Sequence, residues 1–315
     1  NVDGTNRYKG KAEKWYAPLN SSNKELPFEH VWLDKINTQN LQTNRWFKEL
    51  VDELKQVKEN FNFLYVGHWL QGNLGHDRKD TGMLVKVFLE TFKNMKNPPA
   101  LIMKSSGATF SILDREDMLN RINQIKSSIK GDLPNIYLLH GDFTDDEMNE
   151  LNNHPKVKAH VNITHGEGFG RPLLEATISQ KPVIASGWSG HVDFLPKSTA
   201  ILLGGSLENV PKDSFPDNMY VEGSQWFTVN YSEASGVMKE VHKNYKKYTL
   251  NAKKLGTVNK SKFSLDAMTR KLGKILDEYI PEFPEEVELK LPKLKKVNAS
   301  SGPPPKLKLP KLKKV

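Results

Sequence analysis

Three glycines, two glutamates and a proline crowd the first part of one stretch of the chain, His165 to Leu195, which reads HGEGFGRPLLEATISQKPVIASGWSGHVDFL. A strand-like run ends near Ile163, Gly166, Gly168 and Gly170 permit a tight backbone path, and Pro172 suits the first position of a helix. Backbone N–H groups and a helix N-terminus therefore face the end of a strand, a geometry that suits a phosphate or diphosphate. Glu167 in the loop and Glu175 near the first helical turn would repel a bare phosphate, so their better use is to accept hydrogen bonds from hydroxyls. A ligand with a diphosphate in its middle and a polyol at each end satisfies both demands. Nucleotide sugars have that shape.

The elements that must position these residues alternate between apolar runs and helical patterns, as a parallel sheet requires. Strands are predicted at Phe61 to Val66, Ala100 to Lys104, Ile136 to Leu139, Ala159 to Ile163, Pro182 to Ala185 and, closing the sheet, Ala200 to Leu203. Between them, helices are predicted from Met83 to Phe92, Asp114 to Lys130, Asp145 to Asn153 and Pro172 to Ser179, and two or three amphipathic helices follow from Ser232 to Ile280, where Pro281 stops them. Asp145, Asp146 and Glu147 read as a helix start rather than a cation clamp. An earlier helical spacing joins Trp46, Phe47, Leu50, Val51, Leu54 and Val57. The fold class is α/β, a Rossmann-like doubly wound sheet, in which ligands bind at the carboxyl ends of the strands.

Composition narrows the chemistry. The chain has 315 residues, 37% of them hydrophobic, and no Cys, which removes disulfides, thiol nucleophiles, Cys-ligated zinc and iron–sulfur clusters and fits a reducing compartment. With no long apolar run and no basic-then-apolar leader, a cytoplasmic location is expected. The net charge of +9 belongs to one end: residues 289–315 hold nine Lys and no acid, leaving 37 basic and 37 acidic groups in the rest. That end repeats LKLPKLKKV at Leu289 to Val297 and Leu307 to Val315 around NASSGPPPK, and its recurrent Pro and sparse apolar bulk predict a disordered or polyproline-like tail, either a tether to an anionic partner or a solubilising appendage. Three parts are expected: an N-terminal segment with a linker helix over 1–57, a nucleotide-sugar-binding domain over 58–280, and the basic tail over 281–315.

The spacing of Glu167 and Glu175 within EGFGRPLLE, followed by KPVIAS and SGHVDFL, resembles the E-x7-E signature of retaining glycosyltransferases of the family 4 type with a GT-B fold. The resemblance extends upstream through FLYVGHW, GHDRKDTG and LLHGDFTDDEMNELNN and covers about 220 residues. It implies that Glu167 contacts sugar hydroxyls and Glu175 holds the ribose. A basic pair would neutralise the departing diphosphate: Arg78 or Lys79 supplies one member and Lys104 is a candidate for the other, an electrostatic role that needs no metal. Gly67 would let the donor pass close to the first strand, Gly141 and Asp142 would edge the base, and Gly168, Phe169, Gly170 and Arg171 would line the donor. The implied function is transfer of a sugar from a UDP- or GDP-sugar to an acceptor such as a glycan, a lipid-linked sugar or modified DNA, with retention and without a further cofactor. A donor-binding module without transfer activity is the alternative. Only about 60 residues precede the first strand, so a second Rossmann-like domain for the acceptor is expected to be missing from this chain.

Rival chemistries lack anchors. Gly166, Gly168 and Gly170 form G-x-G-x-G late in the chain, rather than the G-x-G-x-x-G after a first strand that dinucleotide binding uses. Neither a G-x-S-x-G elbow nor a Walker A run occurs. His165 and His191 flank the motif and read either as donor contacts or as structural imidazoles, and the nine His show no tight ligand spacing for a metal.

Overall fold

Short runs rich in Leu, Ile, Val and Phe, buried on both faces, form the strands of a parallel sheet. The computed structural model describes Leu54 and residues 57–70, 72–107, 109–215, 219 and 221–280. The basic tail and the N-terminal segment, apart from Leu54 and Val57, lie outside them. Six parallel strands make the main sheet: β1 (Asn62–His68), β2 (Ala100–Ser106), β3 (Ile136–Leu139), β4 (Val157–Asn162), β5 (Val183–Ser186) and β6 (Ile201–Leu203). Their order is β3-β2-β1-β4-β5-β6, so the sheet reverses direction of growth between β1 and β4. A doubly wound sheet opens a crevice at that reversal, outside the carboxyl ends of the strands.

Side-chain alternation along the strands divides the core. Phe63, Tyr65, Leu101, Met103, Ile136 and Leu138 face a layer made by helices α1 (Thr81–Phe92), α2 (Ile112–Ser127) and α5 (Tyr231–Lys243). The intervening residues face the other way. Leu64, Ile102, Tyr137 and Leu139 meet Leu151 of α3 (Asp145–Asn153), and Val183 and Ala185 meet Leu173 and Ala176 of α4 (Arg171–Ile178) with Leu255 of α6 (Tyr245–Lys262). Leu54 and Val57 seal the second of these layers.

Local chemistry sets the helix starts. Ser111 caps α2 by accepting from the Asp114 amide at 3.2 Å. Thr144 and Glu147 form a reciprocal capping box on α3, so Asp145, Asp146 and Glu147 do begin a helix. The structure adds an antiparallel hairpin absent from the sequence-based expectation, β7 (Gly205–Asn209) with β8 (Gln225–Val229), between β6 and α5. All of β7 is exposed and carries no strand-like apolar pattern; it is ordered by pairing with β8, whose Phe227 and Val229 enter the core. The last helix, α7 (Leu265–Tyr279), has no buried side chain. The chain divides into two units, one ending at Thr269 and the other beginning at Arg270. Among the described residues no helix is long and apolar enough to cross a membrane.

Candidate functional site

Two loops meet at the sheet reversal, one after β1 and one after β4. The first ends in Asp77-Arg78-Lys79-Asp80, and both of its aspartates are turned inward. Asp77 Oδ1 accepts from the Thr81 amide at 3.2 Å, tying the loop to the start of α1. Asp80 is fully buried in a left-handed backbone conformation (φ 53°) and its Oδ2 accepts from the Tyr231 hydroxyl at 2.8 Å. Burial pushes the Asp80 carboxyl up to about 8 and raises that of Asp77 as well. Between these anchors, Arg78 and Lys79 meet the second loop at Glu167.

The backbone stitches the loops together. The Arg78 carbonyl accepts from the His165 amide at 3.0 Å and from Thr164 Oγ1 at 3.1 Å, while its guanidinium donates to the Gly166 carbonyl at 2.6 Å. Lys79 Nζ forms an ion pair with Glu167 Oε1, and Arg78 lies 3.7 Å from Glu167 Oε2. Glu167 is only 9% exposed. Burial lowers the Lys79 pKa, with the facing carboxylate opposing that shift. The structure thus brings Arg78 and Lys79 together with Glu167, far along the chain, into one charged cluster in which Lys79 and Glu167 are buried and Arg78 is partly exposed.

Gly170 then turns the chain into α4. Its φ of 82° lies in the left-handed region, which suits a residue without Cβ, and a Cβ there would come within 3.0 Å of His191 Cβ. The helix begins at Arg171, which makes Pro172 its second residue rather than its first. Gly168 and Phe169 are exposed at the loop tip, with the Phe169 ring tilted against Phe194 at 5.2 Å between centroids. Glu175 is half-buried one turn into α4, where its Oε1 pairs with Arg171 Nε at 2.7 Å. Arg171 is itself largely exposed and also lies 3.7 Å from Asp145.

Lys104, Gly141 and Asp142 form a separate group over β2 and β3. Lys104 Nζ donates to the Gly141 carbonyl at 2.7 Å and sits over the rings of Phe143 (4.6 Å) and Phe110 (5.5 Å). Burial depresses its pKa to about 8, partly opposed by Asp142. No hydrogen bond or ion pair among the described residues joins Lys104 to Arg78, Lys79 or Glu167. Gly67 has a packing reason to lack a side chain: a Cβ there would fall 2.6 Å from the Tyr65 hydroxyl, which is held by Thr81 at 2.8 Å.

The two flanking histidines are tied into the scaffold. His165 Nδ1 lies 2.8 Å from the Phe227 carbonyl and its ring stacks on Trp226 at 3.9 Å, while His191 Nε2 lies 2.7 Å from the Ser186 carbonyl. Burial lowers the pKa of both. Sequence reasoning did not single out Asp77, Asp80 or Tyr231, although the aspartates bracket the Arg-Lys pair in DRKD. It also passed over Trp188 and Ser189. Ser189 occupies a backbone conformation (φ 82°, ψ −174°) that glycine normally takes, at a cost of about 1–3 kcal/mol, while its hydroxyl bridges the Glu167 amide and carbonyl at 3.1 and 2.8 Å.

No protein-family profile matches the chain, and no curated protein sequence matches it. Several solved structures resemble it. HepE (Alr3699) of Anabaena in complex with UDP-glucose aligns at 14% identity and a TM-score of 0.48 over 75% of this chain and 54% of its own. The C-terminal domain of a glycosyl transferase group 1 family protein, LpcC, from Francisella tularensis aligns at 14% identity and a TM-score of 0.45 over 67% and 90% of the two chains. A glycosyltransferase from Rickettsia africae aligns at 17% identity and a TM-score of 0.46 over 76% and 52%. The chain thus spans about half the length of the HepE structure.

Proposed function

We propose that the domain binds a nucleotide diphosphate sugar and serves glycosyl transfer with retention at the anomeric carbon. The observation that carries this reading is the convergence of Arg78 and Lys79 on Glu167 at the sheet reversal, beside the N-terminus of α4. Each part has a use in such a reaction. Arg78, Lys79 and the first amides of α4 supply positive potential to a diphosphate, and that potential stabilises the charge that develops on the leaving group as the glycosidic bond breaks. When the diphosphate draws Lys79, the Glu167 carboxylate is released to accept hydrogen bonds from sugar hydroxyls. Glu175, held by Arg171, accepts from the ribose hydroxyls one helical turn away. Lys104 is the candidate for the second cation on the diphosphate, Gly141 and Asp142 face the base, and Gly168, Phe169 and Gly170 line the path between. Substitution on one face through an oxocarbenium-like state completes the reading, with a glycan, a lipid-linked sugar or modified DNA as acceptor.

Calorimetric titration of the full chain with UDP, GDP and ADP tests it. One nucleotide should bind saturably, and Glu175→Ala should weaken it by about tenfold or more, the loss of a charge-assisted hydrogen-bond acceptor. Absence of binding by all three, or an unchanged affinity in the variant, defeats the donor-site assignment.

A further inference from the structure

The order of the strands is also an order of functional groups. Gly141 and Asp142 follow β3, Lys104 stands on β2, Arg78 and Lys79 follow β1, and Glu167 follows β4. The next loop in that series follows β5 and carries Trp188. On the donor reading above, Glu167 contacts the transferred sugar, and the loop after β5 borders that position on the side away from β1, where an attacking group would approach.

Trp188 is built to present a flat surface there. One side of its indole lies near-parallel to Phe227 of β8 (11° between planes, centroids 6.1 Å apart), yet the residue remains 39% exposed. A side chain at Gly166 would meet the indole ring at 3.3 Å, so the ring lies directly against the loop that carries Glu167. The following residue, Ser189, hydrogen-bonds both backbone groups of Glu167. The backbone of Glu167 is thereby tied to the residue next to the indole, and the ring is held between Phe227 of the hairpin and the loop that carries Glu167.

We propose that Trp188 is the acceptor platform and that the acceptor is a carbohydrate whose pyranose ring stacks on the indole. The C–H groups of one pyranose face carry partial positive charge and pack on the negative face of an aromatic ring, while the equatorial hydroxyls project sideways. An acceptor hydroxyl placed this way reaches toward Glu167 and the donor sugar.

This assignment rests on the donor reading, and the test separates the two. Maltose, cellobiose and lactose, with thymidine as a flat aromatic control, are titrated into the full chain in the presence of whichever of UDP, GDP and ADP binds, and the titration is repeated with Trp188→Ala and Trp188→Phe. At least one disaccharide should bind. Trp188→Ala should weaken it by about tenfold, Trp188→Phe should keep it within about threefold, and the nucleotide affinity of both should stay within about twofold. Equal saccharide affinity in the wild type and Trp188→Ala overturns the platform while leaving the donor site standing. So does a thymidine complex without any saccharide complex, or a parallel loss of nucleotide in Trp188→Ala. A wild-type chain that binds no nucleotide sinks both readings.

Discussion

Two lysines stand at the carboxyl end of the same sheet and meet opposite fates. Lys79, after β1, is neutralised by Glu167 of a loop 88 residues later, with Arg78 nearby. Lys104, on β2, meets a backbone carbonyl and two phenylalanine rings, and no carboxylate lies within ion-pair distance of it among the described residues. Both are desolvated and burial lowers the pKa of both, that of Lys104 to about 8, while the Glu167 carboxylate opposes the shift of Lys79. The contrast separates a cation whose charge the protein already balances from one that meets no carboxylate at ion-pair distance among the described residues. On the proposed donor reading, a ligand anion at the reversal must compete with Glu167, and one over β2 and β3 need not.

The largest expected effect comes from breaking the balanced pair. Lys79→Ala leaves Glu167 buried without its partner, which should cost about 3–5 kcal/mol in denaturant unfolding. Lys79→Met combined with Glu167→Gln should recover most of that loss. A cost under about 1 kcal/mol in the single variant would mean that Arg78 and solvent suffice to hold the carboxylate, and the contrast between the lysines would dissolve.

Asp80 tests the same region from its acidic side. Its carboxyl titrates near 3.8 when unfolded and is pushed up to about 8 by burial in the fold. Between those values the folded chain keeps a proton that the unfolded chain has released, so stability falls as pH rises through that window, by at most about 1.4 kcal/mol per pH unit. Thermal melts of Asp80→Asn should show a flatter pH dependence from pH 5 to 8 than the wild type. An identical slope would place the ionisation elsewhere.

Lys104 should behave differently. Lys104→Met is expected to cost only about 1 kcal/mol of stability, since it removes a hydrogen bond and cation–π contacts but strands no charge. Nucleotide affinity should nevertheless fall. The smallest effect is a pH signature: because Lys104 loses its proton near 8, nucleotide binding by the wild type should weaken between pH 7 and 9, and Lys104→Arg should remove that dependence. Wild-type affinity that stays level across the range would assign the lysine a packing role alone.

Much of the fold was legible because its signals are local. The Ile136–Leu139 strand and the Asp145–Asn153 helix have the bounds expected from their residues, since an apolar run and a Thr-x-x-Glu box act within a few residues. Gly170 and Pro172 announced a loop entering a helix, although the helix begins one residue earlier than expected. The β7–β8 hairpin was not legible, because GSLEN becomes a strand only through its partner. The site divides the same way: glycine, glutamate and proline spacing marked the loop after β4, while the fate of each charge depended on residues far along the chain.

By itself, then, the sequence determined the alternation of strands and helices, the loop geometry at Gly170 and the presence of carboxylates beside a helix start. Periodicity, caps and backbone freedom are properties of neighbouring residues. Only the tertiary structure decided that Lys79 neutralises Glu167, that Lys104 does not join them, that Asp80 and His165 are buried, and that Trp188 stands against Gly166 in the loop that carries Glu167. Those outcomes depend on which strands become neighbours and on how far each group is removed from water, and neither quantity exists until the sheet has closed.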